Sequence, residues 1–350
     1  MTGAKGMKLW FWVPALACAF LVGCGDEEEP VTPGPAAGGT FWVIDQPDSE
    51  VAIYDYDGKL RYVVEQFPFF KKPNCVDVDE RDGSAWVLDY YANKVRKFNC
   101  YGRLLYETPW EQGEEPLVRR GTSVAVDSAT GACWVADRSH NRILKLGENG
   151  KVLATVTGFQ SPRVVSLVPE VGDCWVADEL NDRVVKLPAA VTGEVAVGEV
   201  ALATCGDFDI PCSVCADADG GVWVIDTGVA SVVKISNEGV RAAEVTGFDW
   251  PYDVVSSKAA HTVYVVDYEL GSLVAFSRGV SGTQAMDKVA KLTVAGLDAP
   301  TDVELDEESG YVFVSASDAV RRYTTSGNLV QTYSEMQLPV MVAADPGREN

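Results

Sequence analysis

The sequence predicts an all-β fold, a seven-bladed β-propeller of four-stranded antiparallel blades whose ring is closed by the C-terminal strand pairing with the N-terminal strands. Three observations predict it. A four-residue phrase ending in Asp returns along the chain, a Pro-led strand precedes nearly every copy, and the incomplete first and last units complete each other. The 350 residues, 47% of them hydrophobic, are enough for one large all-β unit. Val, Trp and Tyr abound, and no apolar run at helical period occurs outside the N-terminus, which favours strands.

The first 23 residues are expected to be a signal peptide. Lys5 and Lys8 precede the apolar run Leu9 to Val22, and Leu21-Val22-Gly23-Cys24 ends it with a small residue before Cys. This arrangement resembles bacterial lipoprotein precursors, and the resemblance implies that Cys24 carries the lipid. Fourteen apolar residues interrupted by Pro14 are short for a membrane span. Residues 24–39, with GDEEEPVTPGPAAGG after the Cys, read as a solvated tether, and residues 40–350 as the propeller. The expected location is membrane-anchored and extracytoplasmic. The formal charge of −22, with 51 acidic residues against 29 basic, excludes nucleic acid as a natural partner.

Each predicted blade opens on a lead strand: PNCVDVD from Pro73, GTSVAVD from Gly121, PRVVSLV from Pro162, PCSVCAD from Pro211, PYDVVSS from Pro251, PTDVELD from Pro300 and PVMVAAD from Pro339. Nine or ten residues after the Val of a lead strand comes the phrase: WVLD at Trp86, WVAD at Trp134 and Trp175, WVID at Trp223, YVVD at Tyr264 and, without its Asp, FVSA at Phe313. A polar turn leads to a third strand, such as ILKL at Ile143 or VVKL at Val184. A turn with Gly (Gly102, Gly150, Gly193, Gly239, Gly279, Gly327) then opens the fourth strand. Lead strands recur every 39 to 49 residues, the period of a four-stranded blade. The phrase FWVID at Phe41 has no lead strand before it, and the lead strand at Val342 has no phrase after it. Pairing the two makes the seventh blade and removes two open sheet edges.

The unit P-x-x-V-x-V-D, the WVAD phrase, the turn Ser139-His140-Asn141-Arg142 and the strand ILKL together resemble the NHL-repeat β-propeller family. Gly158-Phe159-Gln160-Ser161-Pro162 and Gly247-Phe248-Asp249-Trp250-Pro251 resemble that family's blade junction. The likeness runs from Phe41 to Asp345 and speaks to fold more than to function.

The phrase-ending residues Asp45, Asp89, Asp137, Asp178, Asp226 and Asp267 are expected to cap the turn that follows each of them, rather than to form a cation-binding ring. The Trp that opens the phrase is expected in the core between blades. Phe69, Phe70, Trp110 and Trp250 fall outside the repeat register, in blade-linking segments, and are the candidate recognition surface.

Asp77, Asp253, Asp302 and Glu304 sit on lead strands, which line the central channel. They are the candidate ligands for a divalent ion, calcium or magnesium, set against hydrated carboxylates with no ion. Propeller hydrolases similar to gluconolactonases use such an ion.

Two His residues, His140 and His261, are placed on opposite faces and cannot share a zinc. No Ser or Cys is matched to either in a nucleophile motif. Cys205 and Cys212 would close the loop CGDFDIPC most easily as a disulfide.

The expected function is therefore a non-catalytic binding or scaffold lipoprotein that recognises a protein or glycan of the cell envelope. The alternative is a divalent-metal hydrolase or lyase with a channel carboxylate site, similar to gluconolactonase or streptogramin lyase.

Overall fold

The first element described, Thr40–Asp45, lies between Glu50–Asp55 on one side and the last strand of the chain, Pro339–Asp345, on the other. The structure is a computed structural model that describes residues 39–45, 49–64, 70–109 and 114–345. Residues 1–38, which hold the expected signal peptide, Cys24 and nearly all of the expected tether, lie outside the described residues, as do Phe69 and Trp110. Thr40 faces Asp345 and Trp42 faces Ala343 in an antiparallel ladder, so the ring closes as the sequence predicts.

Seven sheets result, here numbered by their innermost strands in chain order: Pro73–Asp79, Ser123–Asp127, Pro162–Leu167, Pro211–Ala216, Pro251–Ser257, Asp302–Asp306 and Pro339–Asp345 for blades 1 to 7. Each innermost strand starts on the side where the chain crosses from the preceding blade, called here the junction face. Because the strands alternate in direction, second strands end on the junction face and outermost strands begin on the opposite one.

The second strands read as continuous apolar runs because neighbouring blades cover both faces of each sheet. Ser84–Asp89 and Ala132–Asp137 are buried along their whole length. The core is accordingly divided among the gaps between blades. One cluster, for example, joins Trp134 and Ala136 of blade 2 to Cys174, Val176 and Val185 of blade 3. The Trp residues opening the phrases at 86, 134, 175 and 223 are fully buried, as expected. Opposite each on the third strand stands a Lys (Lys97, Lys145, Lys186, Lys234), with its ammonium 5.0 to 5.9 Å from the Trp ring centroid. Blade 7 is secured against blade 6 by an aromatic cluster. The Phe41 ring lies 5.2 Å from Phe313 and 4.8 Å from Tyr333, and the Tyr56 hydroxyl donates to Asp306 Oδ2 at 2.6 Å.

Five blades enter their outermost strand through the same turn. Gly150 shows why Gly is needed there: its φ is +77°, and a Cβ would meet the Tyr106 ring at 2.1 Å. Gly193 plays another part than the sequence suggests. It opens the extra strand Gly193–Ala196, which adds parallel to Val152–Thr157 of blade 2, while Gly282–Ala285 adds likewise to Arg241–Thr246 of blade 4. Blades 2 and 4 thus carry five strands, the fifth contributed by the chain of the following blade. A single helical turn follows each extra strand, Val197–Val200 and Met286–Val289, before the chain returns to its own blade.

Candidate binding site at the mouth of the central channel

The seven innermost strands surround a cavity of about 680 Å³. An innermost strand has a sheet partner on only one edge, so the N–H groups along its other edge need acceptors from elsewhere. In this chain they come from side chains of the neighbouring blade, and the pattern follows the repeat register. The third residue of one lead strand accepts from the N–H of the fourth residue of the next. Cys75 Sγ takes the Val124 N–H at 3.3 Å, Ser123 Oγ that of Val165 at 3.2 Å, Asp253 Oδ2 that of Val303 at 3.2 Å, Asp302 Oδ2 that of Val342 at 2.9 Å and Met341 Sδ that of Val76 at 3.4 Å. Two steps later in the strand, Asp77 Oδ2 accepts from Val126 N–H at 2.7 Å and Ser166 Oγ from Ala216 N–H at 2.9 Å. The Ser213 hydroxyl, donating to Asp253 Oδ1 at 2.7 Å, bridges the remaining junction. Every pair of adjacent blades is thereby stitched along the channel wall.

Three of the four carboxyls expected to hold an ion are engaged in this stitching. Asp77 belongs to blade 1, Asp253 to blade 5, and Asp302 and Glu304 to blade 6. Among the described residues, no group of three His, Cys, Asp or Glu side chains is placed to hold a metal ion. All four carboxyls resist ionisation. Burial pushes Asp77 up to about 7 and Asp253 to about 6, against the pull of their backbone and hydroxyl donors. Burial, together with the Asp253 charge, holds Asp302 well above the usual range. Glu304 is raised by burial and by the charges of Asp77, Asp302 and Asp253. Asp302 and Glu304 are therefore the channel carboxyls that most favour the neutral form.

The phrase-ending Asp residues act as caps, but their partners differ from expectation. Each reaches mainly to the junction loop that precedes its own blade. Asp89 accepts from the N–H groups of Lys71 and Lys72, Asp137 from Arg119, Asp178 from Gln160, Asp226 from Asp209, Asp267 from Asp249 and Trp250, and Asp45 from Gln337 and Leu338. Only Asp89 and Asp267 also cap a backbone N–H of the following turn among the described bonds, those of Ala92 and Leu270. In blades 2 and 3 an Arg five residues on, Arg142 or Arg183, pairs with the Asp. Blade 4 has Ser231 there, and burial pushes Asp226 up to about 6. His140 belongs to this capping network, with Nδ1 2.8 Å from Asp137 Oδ2 and Nε2 3.1 Å from Glu115. His261 lies in the turn between the first two strands of blade 5, on the opposite face.

The channel opens on the junction face between groups of two kinds. On one side Arg138 and Arg163 converge on Glu179, at 3.0 and 3.4 Å. On the other Tyr252 borders the cavity, and from it an aromatic row runs outward, Tyr252 to Tyr268 to Trp250, with successive ring centroids 6.1 Å apart. Trp250 is 47% exposed and Tyr268 37%. Trp250 is thus exposed on the junction face, in ring contact with Tyr268. Phe70 is half-buried, packed against Phe98 beneath the Arg96 guanidinium. Tyr268, on a second-to-third-strand turn, was invisible as a site residue because its meaning depends on its neighbour from another loop.

The thiols of Cys205 and Cys212 remain free, and the expected disulfide does not form. Cys205 lies in the outermost strand of blade 3 and Cys212 in the innermost strand of blade 4, where its sulfur meets the Thr227 hydroxyl at 2.7 Å.

No protein-family model matches the chain, and no curated protein does. Among solved structures it is similar to a streptogramin B lyase (TM-score 0.64, 14% identity, 85% of this chain and 92% of that one). It is also similar to a functionally unknown protein from Desulfotomaculum acetoxidans DSM 771 (TM-score 0.68, 11% identity, 88% and 99%). A third likeness is to a putative 6-phosphogluconolactonase from Bacteroides uniformis ATCC 8492 (TM-score 0.67, 12% identity, 88% and 99%). At these identities the likeness is one of fold, and the chain is a seven-bladed β-propeller.

Proposed function

We propose that the chain is an NHL-like binding propeller, held outside the cytoplasm by a lipid on Cys24, that takes a glycan of the cell envelope at the channel mouth and performs no chemistry on it. The observation that carries this reading is the exposed aromatic row, Trp250 and Tyr268, leading to Tyr252 at the cavity edge. Aromatic faces suit the C–H faces of a sugar ring, and the channel beyond offers serine hydroxyls and the Glu304 carboxyl, held toward its neutral form, which both donate and accept hydrogen bonds. Glu304, raised by burial and surrounding charge, makes no hydrogen bond among the described residues and is available to a ligand hydroxyl. A protein ligand at the same mouth is the other form of this reading.

The lyase-like and lactonase-like neighbours are compatible with an enzyme. The four channel carboxyls, however, do not fit a divalent ion well: three accept backbone or hydroxyl protons from adjacent blades, and no group of three among the described residues is placed to hold one. No metal-dependent step is derived for them.

The test is site-directed photo-crosslinking in envelope extracts, with the probe at position 250 on the junction face or at position 171 on the opposite face. Adducts specific to position 250 that are competed away by envelope oligosaccharides are expected. Equal labelling from both positions, or competition by neither glycan nor protein fractions, would sink the reading.

A further inference from the structure

The opposite face carries a second pattern that the binding site does not use. In the turn before the outermost strand, Gly is followed by a polar or basic residue and then by exposed aliphatic ones: Lys59-Leu60 in blade 7, Arg103-Leu104-Leu105 in blade 1, Lys151-Val152-Leu153 in blade 2 and Asn328-Leu329-Val330 in blade 6. These four blades are consecutive around the ring, 6-7-1-2, so the aliphatic side chains form an arc on the outer rim. Leu105 is 57% exposed and Leu329 55%.

The nearby carboxylates are largely engaged. Asp55 caps the Lys59 N–H and pairs with Arg61, and Glu148, itself exposed, lies 3.6 Å from Arg81 and 3.7 Å from Lys97, while Asp57 and Asp82 are further exposed acids near the arc. Among the described residues, Lys59, Arg103 and Lys151 form no ion pair. Blades 3 and 5 lack the turn, since their inserted strands occupy its place, and blade 4 keeps the turn in another order, Gly239-Val240-Arg241, with a single exposed aliphatic ahead of the cation.

We infer that this arc seats the propeller on a lipid bilayer containing acidic phospholipid, with the aliphatic side chains in the interfacial layer and the three cations among the headgroups. Exposed aliphatics flanked by unpaired cations suit that environment. The connectivity points the same way. Thr40 pairs with Asp345 at the opposite-face end of blade 7, so the N-terminal segment bearing Leu9 to Val22 and Cys24 joins the propeller at the middle of the arc's own face. The channel mouth is then turned away from the membrane.

The inference needs no lipid on Cys24, and its test omits that residue. Residues Pro35–Asn350 form a compact unit of their own, the closed ring. That propeller is sedimented with vesicles of phosphatidylcholine alone or with about a quarter phosphatidylglycerol. A chain this acidic should be repelled by the second kind unless a local patch overrides its net charge, so retention there is expected. Leu105→Glu with Leu153→Glu should weaken it about tenfold, as should Leu329→Glu with Val330→Glu. Val171→Glu with Leu202→Glu, on the same face but outside the arc, should leave it unchanged. Thermal midpoints establish that each variant is folded. The inference is overturned by absence of retention, by equal retention in the arc variants, or by a concentration-dependent dimer of the parent that the arc substitutions abolish.

Discussion

Replacing Asp77 by Asn should make the protein more stable at alkaline pH, although the substitution touches a residue lining the central channel. In the folded chain burial pushes the Asp77 carboxyl up to about 7 from an unfolded value of 3.8. The folded state therefore holds the proton more tightly than the unfolded one. The associated stability is fully present below pH 3.8, declines as the pH rises toward 7, and is gone above it. That gap corresponds to about 4 kcal/mol at pH 8, an upper value because the channel admits water. Asn keeps the acceptor for the Val126 N–H and forfeits the one for the Val78 N–H, at about 1 kcal/mol. The net expectation at pH 8 is a gain of about 1–3 kcal/mol, several degrees in thermal midpoint, and a flatter dependence of stability on pH between 4 and 7. Urea unfolding of parent and variant at pH 5, 6, 7 and 8 measures both quantities. A variant less stable than its parent at pH 8, or one that keeps the parent's slope, would refute the reasoning. Ser123 and Ser166 make equivalent stitches without a titrating group, so the fold does not require a carboxyl there.

Two further outcomes follow from the same geometry. Asp178→Ala removes the acceptor of the Gln160 N–H, the Asn181 amide and the Arg183 guanidinium together, and should cost about 3 kcal/mol in urea unfolding. Titration with Ca²⁺ or Mg²⁺ should produce no saturable rise in the thermal midpoint, because Asp77, Asp253 and Asp302 are already engaged across blade junctions. A rise abolished by Asp302→Asn would instead restore the metal-enzyme reading.

The stitching of the channel wall explains a feature of the lead strands that the repeat alone leaves arbitrary. The residues there that make the junction bonds are Cys, Ser, Asp or Met, and at six of the seven junctions they accept from a backbone N–H of the next blade, from its fourth residue when they stand third and from its sixth when they stand fifth. Chemistry is conserved there in function and not in identity. A carboxyl at such a position is therefore weak evidence for a metal or a catalytic acid.

Strand content, blade count and the pairing of Thr40–Asp45 with Pro339–Asp345 were determined by the sequence itself. These properties are local or periodic: each strand carries its own apolar run, and a missing strand at one end matches a surplus strand at the other. The burial of the phrase Trp residues was legible for the same reason. Only the tertiary structure decided that the phrase Asp residues cap the preceding junction loop, because that loop lies about eighteen residues earlier and reaches the strand end only when the blade folds back. The extra strands Gly193–Ala196 and Gly282–Ala285 were hidden because each pairs with the blade before its own. The row Trp250, Tyr268 and Tyr252 and the aliphatic arc of blades 6, 7, 1 and 2 could be seen only once the ring curvature had set distant loops side by side. A repeat specifies its own unit through contacts within that unit, whereas a binding surface is assembled across units by the closure of the ring.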